Sequence, residues 1–181
     1  MAGAMSGSTT CTPAARRPLI VTAEIAQRDF SWIEGLRRAH YPADRNQVPA
    51  HLTMFHSVAP SAQAELGSRL ARIVRQPVPK ATVAGVMDLG GGVAFRVVSP
   101  DLDQIRDELA DELHGLLGAQ DSGGWRPHIT IQNKVAPKVA RALKQSLEIA
   151  FEPRPLEIGG LAIHRYLGGP WEKVAAYAFR P

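Results

Sequence analysis

At 181 residues the chain has room for one domain, or for two small lobes sharing a core, and none for a large multidomain enzyme. Apolar residues make up 45% and charged residues 21%, a balance that excludes a disordered chain and permits a packed core. The formal charge of +4, part of it carried by Arg16 and Arg17 near the N-terminus, suits anionic partners such as nucleotides or RNA as well as a merely solvated basic surface.

Residues 1–18, rich in Ala, Ser and Thr, lack a continuous apolar run and are expected to be a disordered tail. Residues 19–181 are expected to form a single bilobal catalytic domain. Cys11 is the only cysteine, so no internal disulfide forms, and no Cys cluster suggests zinc. No segment approaches the roughly 20 apolar residues of a membrane helix. These features lead us to expect a soluble, cytoplasmic monomer.

In chain order, Leu19 to Ile25 is a β-branched apolar run that predicts a strand, and Asp29 is expected to cap a helix carrying Trp32, Ile33, Leu36 and Ala39. A strand around residues 51–58 stops at Ala59-Pro60, and a helix is expected over 61–74. Residues 77–87 begin a closing strand, and Leu89-Gly90-Gly91 turns into a strand at 93–98. A helix over 101–117 follows, with Leu102, Ile105, Leu109, Leu113 and Leu116 as its buried stripe. A second strand–Ala-Pro–helix passage runs through residues 128–150, and residues 155–164 begin the last strands.

Sliding the sequence against itself exposes a duplication at an offset of 77 residues. His51-Leu52-Thr53-Met54-Phe55-His56-Ser57-Val58-Ala59-Pro60 lies over His128-Ile129-Thr130-Ile131-Gln132-Asn133-Lys134-Val135-Ala136-Pro137, with His, Thr, Val, Ala and Pro coinciding. Leu66 and Leu70 fall on Leu143 and Leu147. Each half thus reads as β-α-β-α-β-β, and two copies predict an α+β fold. Its two pseudo-twofold lobes carry two antiparallel sheets that flank a V-shaped cleft.

Alternate side chains of a strand share a face, so His51 and Thr53 point one way and Leu52 and Met54 the other. His128 and Thr130 repeat the arrangement, and a pseudo-twofold axis brings both pairs to one groove. Cleavage of a phosphodiester needs one group to take a proton from the nucleophile and another to give one to the leaving oxygen. Imidazole suits both tasks because its unperturbed pKa of about 6.5 leaves both forms populated near neutrality. Threonine hydroxyls donate to the non-bridging oxygens, and no metal is required by this logic.

With these motifs the chain resembles the 2H phosphoesterase superfamily, and within it the bacterial 2′-5′ RNA ligase-like branch. That family is defined by two His-x-Thr/Ser-x motifs, matched here by His51-Leu52-Thr53-Met54 and His128-Ile129-Thr130-Ile131. The resemblance spans roughly residues 19–179. It implies a phosphoesterase without cofactor, with His51 and His128 as acid and base in undetermined order and Thr53 and Thr130 as phosphate holders. Its substrates would be RNA ends or small cyclic nucleotides, including 2′,3′-cyclic phosphates, ADP-ribose cyclic phosphate and 2′-5′ linkages, with weak ligation in reverse. Some members carry an arginine after the second motif, where this chain has Gln132-Asn133-Lys134. By alternation Gln132 and Lys134 share the cleft face, and Lys134 is either a substitute cation or a solvated strand end.

Phe55 is by the same parity either a base-stacking wall or core. Trp125 and Arg126 before the second motif, and Tyr166 and Trp171 around the turn at 167–170, are candidates for rim contact or for packing. His56 falls on the opposite face unless the strand bulges. His40, His114 and His164 lack a partner threonine, no spacing suggests a metal site, and Gly90-Gly91-Gly92 lacks the Lys-Ser/Thr of a phosphate loop. The rival reading is a nucleotide- or RNA-binding module with little turnover.

Overall fold

The computed structural model describes residues 16–180, so residues 1–15 of the expected tail lie outside it. Pro18 is within it, and its carbonyl accepts from the Tyr166 amide at 3.2 Å. The elements run β1 (Leu19–Ile25), α1 (Gln27–His40), β2 (Leu52–Val58), α2 (Gln63–Ile73), β3 (Lys80–Asp88), β4 (Val93–Val98), α3 (Pro100–Glu112), β5 (His128–Gln132), α4 (Pro137–Ile149), β6 (Arg154–Tyr166) and β7 (Trp171–Ala178). Short 3-10 turns precede α2 and β5, at Pro60–Ala62 and Ala119–Ser122.

All strand pairs are antiparallel, in the order β2-β1-β6-β3-β4-β5, with β7 added on β6. The two expected sheets are joined through β6, whose first residues pair with β3 and whose remainder pairs with β1 and β7. The duplication is visible in the pairing. β1 with β2 corresponds to β4 with β5, and β1 with β6 corresponds to β4 with β3, so each half lends its third strand to the other half's first. β4 both closes the first half against β3 and opens the second. β2 and β5 stand at opposite ends of the strand order, yet they come back to face each other, which bends the sheet into a V.

The helices form where the apolar period demands it. In α3, Leu102, Ile105 and Leu109 are buried, each stabilising the fold by about 2 kcal/mol on area grounds. Its start is set by Ser99, whose Oγ accepts from the Leu102 amide at 3.1 Å and donates to Lys80 O at 2.7 Å. It ends at Glu112, earlier than the 117 expected, before Gly115 in the left-handed region (φ 77°). Asp29 does not cap α1. The N-cap is Ala26, and Asp29 sits in the first turn, buried, where its Oδ2 accepts from the Glu157 amide at 2.8 Å and ties α1 to β6. Among the described residues no helix is long and apolar enough to cross a membrane.

Candidate active site

The two His-x-Thr motifs face one another on β2 and β5, the strands that close the V. Leu52, Met54, Ile129 and Ile131 are fully buried, while His51, Thr53, His128 and Thr130 are part-exposed and together line a cavity of about 360 Å³. Each histidine is held in the same way. His51 Nδ1 lies 2.7 Å from Pro49 O, and His128 Nδ1 lies 2.7 Å from Arg126 O, in each case the carbonyl two residues upstream. A carbonyl only accepts, so Nδ1 carries the hydrogen and Nε2 remains the working nitrogen of both rings.

The threonines are positioned from across the cleft. Arg37 of α1, 3% exposed, donates to Thr130 O at 2.6 Å and to Val48 O at 2.7 Å. Arg106 of α3, 6% exposed, donates to Met54 O at 3.1 Å and to Asp121 O at 2.9 Å. Each half therefore sends a buried guanidinium from its first helix to the motif strand of the other. Trp125 Nε1 adds a bond to Thr53 O at 3.0 Å.

The strand parity fails at a corresponding place in each half, and β2 slips against β1 a second time opposite Leu19–Val21. One residue step on β1, from Val21 to Thr22, faces two on β2, from Phe55 to Thr53, and one step on β4, from Val93 to Ala94, faces two on β5, from Gln132 to Thr130. Both motif strands thus carry a β-bulge immediately after the threonine, at positions related by the 77-residue offset. The bulge turns Phe55 (0% exposed) and Gln132 (4%) into the core, away from the cleft wall where alternation had put them. Phe55 packs under the Arg106 guanidinium at 5.0 Å, and Gln132 Nε2 donates to His40 O at 3.2 Å. Beyond the bulge, His56 returns to the cleft and lines the same cavity as the two motifs.

The remaining candidates fall in two places. Trp125 and the exposed Arg126 line the cavity of the motifs. Lys134, past the end of β5 at φ 61°, and Tyr166 line a neighbouring cavity of about 460 Å³ that His51 and Thr130 also reach, together with Arg45, Tyr41 and Asn133. Trp171, at the start of β7, leans on His51 with ring centroids 4.6 Å apart and on His164 at 5.5 Å. His164 in turn bonds Thr22 Oγ1 at 2.9 Å. Sequence reasoning missed Arg37, Arg106, Asp121 and the buried His164, although the 77-residue offset that relates the motifs also relates Asp44 to Asp121.

Burial holds His51 well below the usual imidazole range, at about 4. Its bond to Pro49 opposes the shift, and the charges of Arg37, His164 and His128 add to it. Burial works to raise the Asp121 carboxyl, but the His56 side chain and the amides of His56 and Ser57 outweigh it and hold the group below its ordinary value. Glu24 is held down to about 2, first by His164 and, against burial, by Lys173. Among the described residues no group of three or more His, Cys, Asp or Glu is arranged to hold a metal ion.

A family model described as the 2′-5′ RNA ligase superfamily matches residues 23–170, and the chain belongs to that superfamily. The expected 2H phosphoesterase fold is borne out by solved structures. TT0787 of Thermus thermophilus is 15% identical, with 90% of this chain and 98% of that one covered at a TM-score of 0.61. E. coli LigT complexed with 3′-AMP is 15% identical, with 92% and 99% covered at a TM-score of 0.60. A further structure titled as a phosphoesterase is 16% identical, with 92% and 99% covered at 0.61. LigT has also been crystallised with NADP+, ATP and phosphate. No curated protein matches the chain.

Proposed function

We propose that the chain is a metal-independent phosphoesterase acting on 2′,3′-cyclic phosphates or 2′-5′ linkages of nucleotides and RNA ends, with weak 2′-5′ ligation as the reverse reaction. The observation that carries this reading is the matched pair of imidazoles, each tethered through Nδ1 and each paired with a threonine on the same cavity wall. The nucleotides found in LigT support a cleft of this fold receiving such ligands.

In hydrolysis the reacting phosphate sits between the two rings, its non-bridging oxygens accepting from the hydroxyls of Thr53 and Thr130. His51, neutral in its buried setting, takes the proton of the attacking water through Nε2 as the new P–O bond forms. The P–O bond to the ribose breaks on the opposite side, and His128 Nε2–H gives its proton to the departing oxygen. Repulsion between the two rings favours the state in which only one is charged, as this division of labour requires. In ligation a ribose hydroxyl replaces water as the nucleophile, and the two rings keep these roles.

The test is turnover of nucleoside 2′,3′-cyclic phosphates and 2′-5′-linked dinucleotides in EDTA. Activity is expected to survive chelation and to vanish in both His51→Ala and His128→Ala. Tight binding without product would establish the binding-module reading instead.

A further inference from the structure

His56 and Asp121 take no part in the reaction described above, yet they stand in its cavity. We propose, building on the phosphoesterase reading, that the arm of the cleft beyond Thr53 is a second phosphate subsite. In it His56 and Arg126 hold a phosphoryl group of the substrate other than the one that reacts.

Placement is the first argument. The bulge at Met54 and Phe55 makes β2 present three polar groups in a row to the cleft, His51, Thr53 and His56. With one bulged residue out of the count, His56 lies two strand steps beyond Thr53, roughly 7 Å along the strand. Two phosphates attached to different hydroxyls of one nucleoside are separated by such a distance.

Chemistry is the second. Among the described residues Asp121 is the only carboxylate of this cavity, and its oxygens are spent on the protein. They accept from the His56 amide at 2.9 Å, the Ser57 amide at 2.7 Å and His56 Nδ1 at 3.1 Å. This fixes the imidazole with Nε2 as its free end. Around it stand the exposed Arg126 and Gln120, and the guanidinium of Arg106, whose hydrogen bonds go to carbonyls, lines the same arm. An arm lined by cations and donors, with its acid already engaged, is built for an anion.

Asymmetry is the third. The 77-residue offset carries His56 to Asn133 and Asp121 to Asp44, and neither counterpart reproduces the pair, Asp44 being exposed. The second phosphate would therefore orient the substrate in an otherwise pseudo-symmetric cleft, and so decide which ring meets the leaving oxygen.

The experiment compares kcat/KM for adenosine 2′,3′-cyclic phosphate with that for the same nucleotide bearing a 5′-phosphate. The wild type is expected to prefer the 5′-phosphorylated compound by about tenfold or more, and His56→Gln and Arg126→Ala to reduce the ratio to near one. A merely structural role would lower both values together and leave the ratio unchanged. Equal kcat/KM in the wild type, or a ratio untouched by His56→Gln, overturns the subsite while leaving the phosphoesterase reading intact. Absence of any turnover fails that reading instead. Calorimetric binding still tests the subsite in that event, because adenosine 3′,5′-bisphosphate should bind the wild type about tenfold tighter than adenosine 3′-phosphate and the His56→Gln variant no tighter. Equal affinities in the wild type would refute it.

Discussion

The half-buried, desolvated setting of His51 has a consequence for stability that can be measured without a substrate. In the unfolded chain the ring titrates near 6.5, in the folded protein near 4, so between these values the unfolded state binds the extra proton. Stability contributed by the neutral ring is full above pH 6.5 and is lost as the pH falls toward 4. The linkage relation gives a loss of about 0.2 kcal/mol at pH 7, about 2 kcal/mol at pH 5 and about 3 kcal/mol below pH 4. A His51→Gln variant lacks this titration and shares all the others. Urea unfolding of both proteins at pH 7 and pH 5 should show the wild type losing about 2 kcal/mol more than the variant over that interval. If both lose the same amount, the ring is not desolvated in the folded state, and the assignment of His51 as base loses its electrostatic support.

Three further outcomes are expected. Replacing Thr53 or Thr130 by Val keeps the β-branched shape and removes one donor to the phosphate; kcat/KM should fall about 100-fold while urea midpoints barely move, and unchanged kinetics would rule out a phosphate role for the hydroxyl. Trp171→Ala strips one side of His51 of its cover, so the ring's titration followed by NMR should move upward from about 4 toward 6.5, and an unmoved value would mean that Trp171 does not contribute to the burial. A Cβ at Gly92 would overlap Gln132 O and crowd Asn133 Cα at 2.7 Å, so Gly92→Ala should cost about 3 kcal/mol by forcing β4 from β5, and a thermal midpoint equal to wild type would contradict this.

The placement of the two motifs was legible because both copies obey the period of a strand up to the threonine. Leu52, Met54, Ile129 and Ile131 went to the core and their neighbours to the cleft, as alternation demands. Past the threonine the same rule misplaced Phe55, Gln132 and His56, because a bulge is a property of the pairing with β1 or β4 and leaves no mark in the strand's own sequence. Arg37 and Arg106 were invisible for a related reason. Each sits on an amphipathic helix where a charged residue signals solvent, and one of its partners is a carbonyl of the opposite half. Asp121 lay in a loop with no period to read. The order of the strands was also beyond local patterning, since exchange of third strands between halves is decided by which hydrophobic edges remain unpaired.

That exchange bears on how the protein comes into being on the ribosome. When the first half has been made, β1 has β2 beside it but still lacks β6, which begins at Arg154 and follows every element of the first half. The sheet's centre therefore closes only once β6 has been made, through contacts of high sequence separation, which makes folding slow relative to a helical protein of this size. The cleft between β2 and β5 can take shape only once that central seam is in place. Truncation anywhere before Tyr166 would then forfeit the site as a whole, and the nascent chain carries an open apolar edge on β1 until β6 has been made.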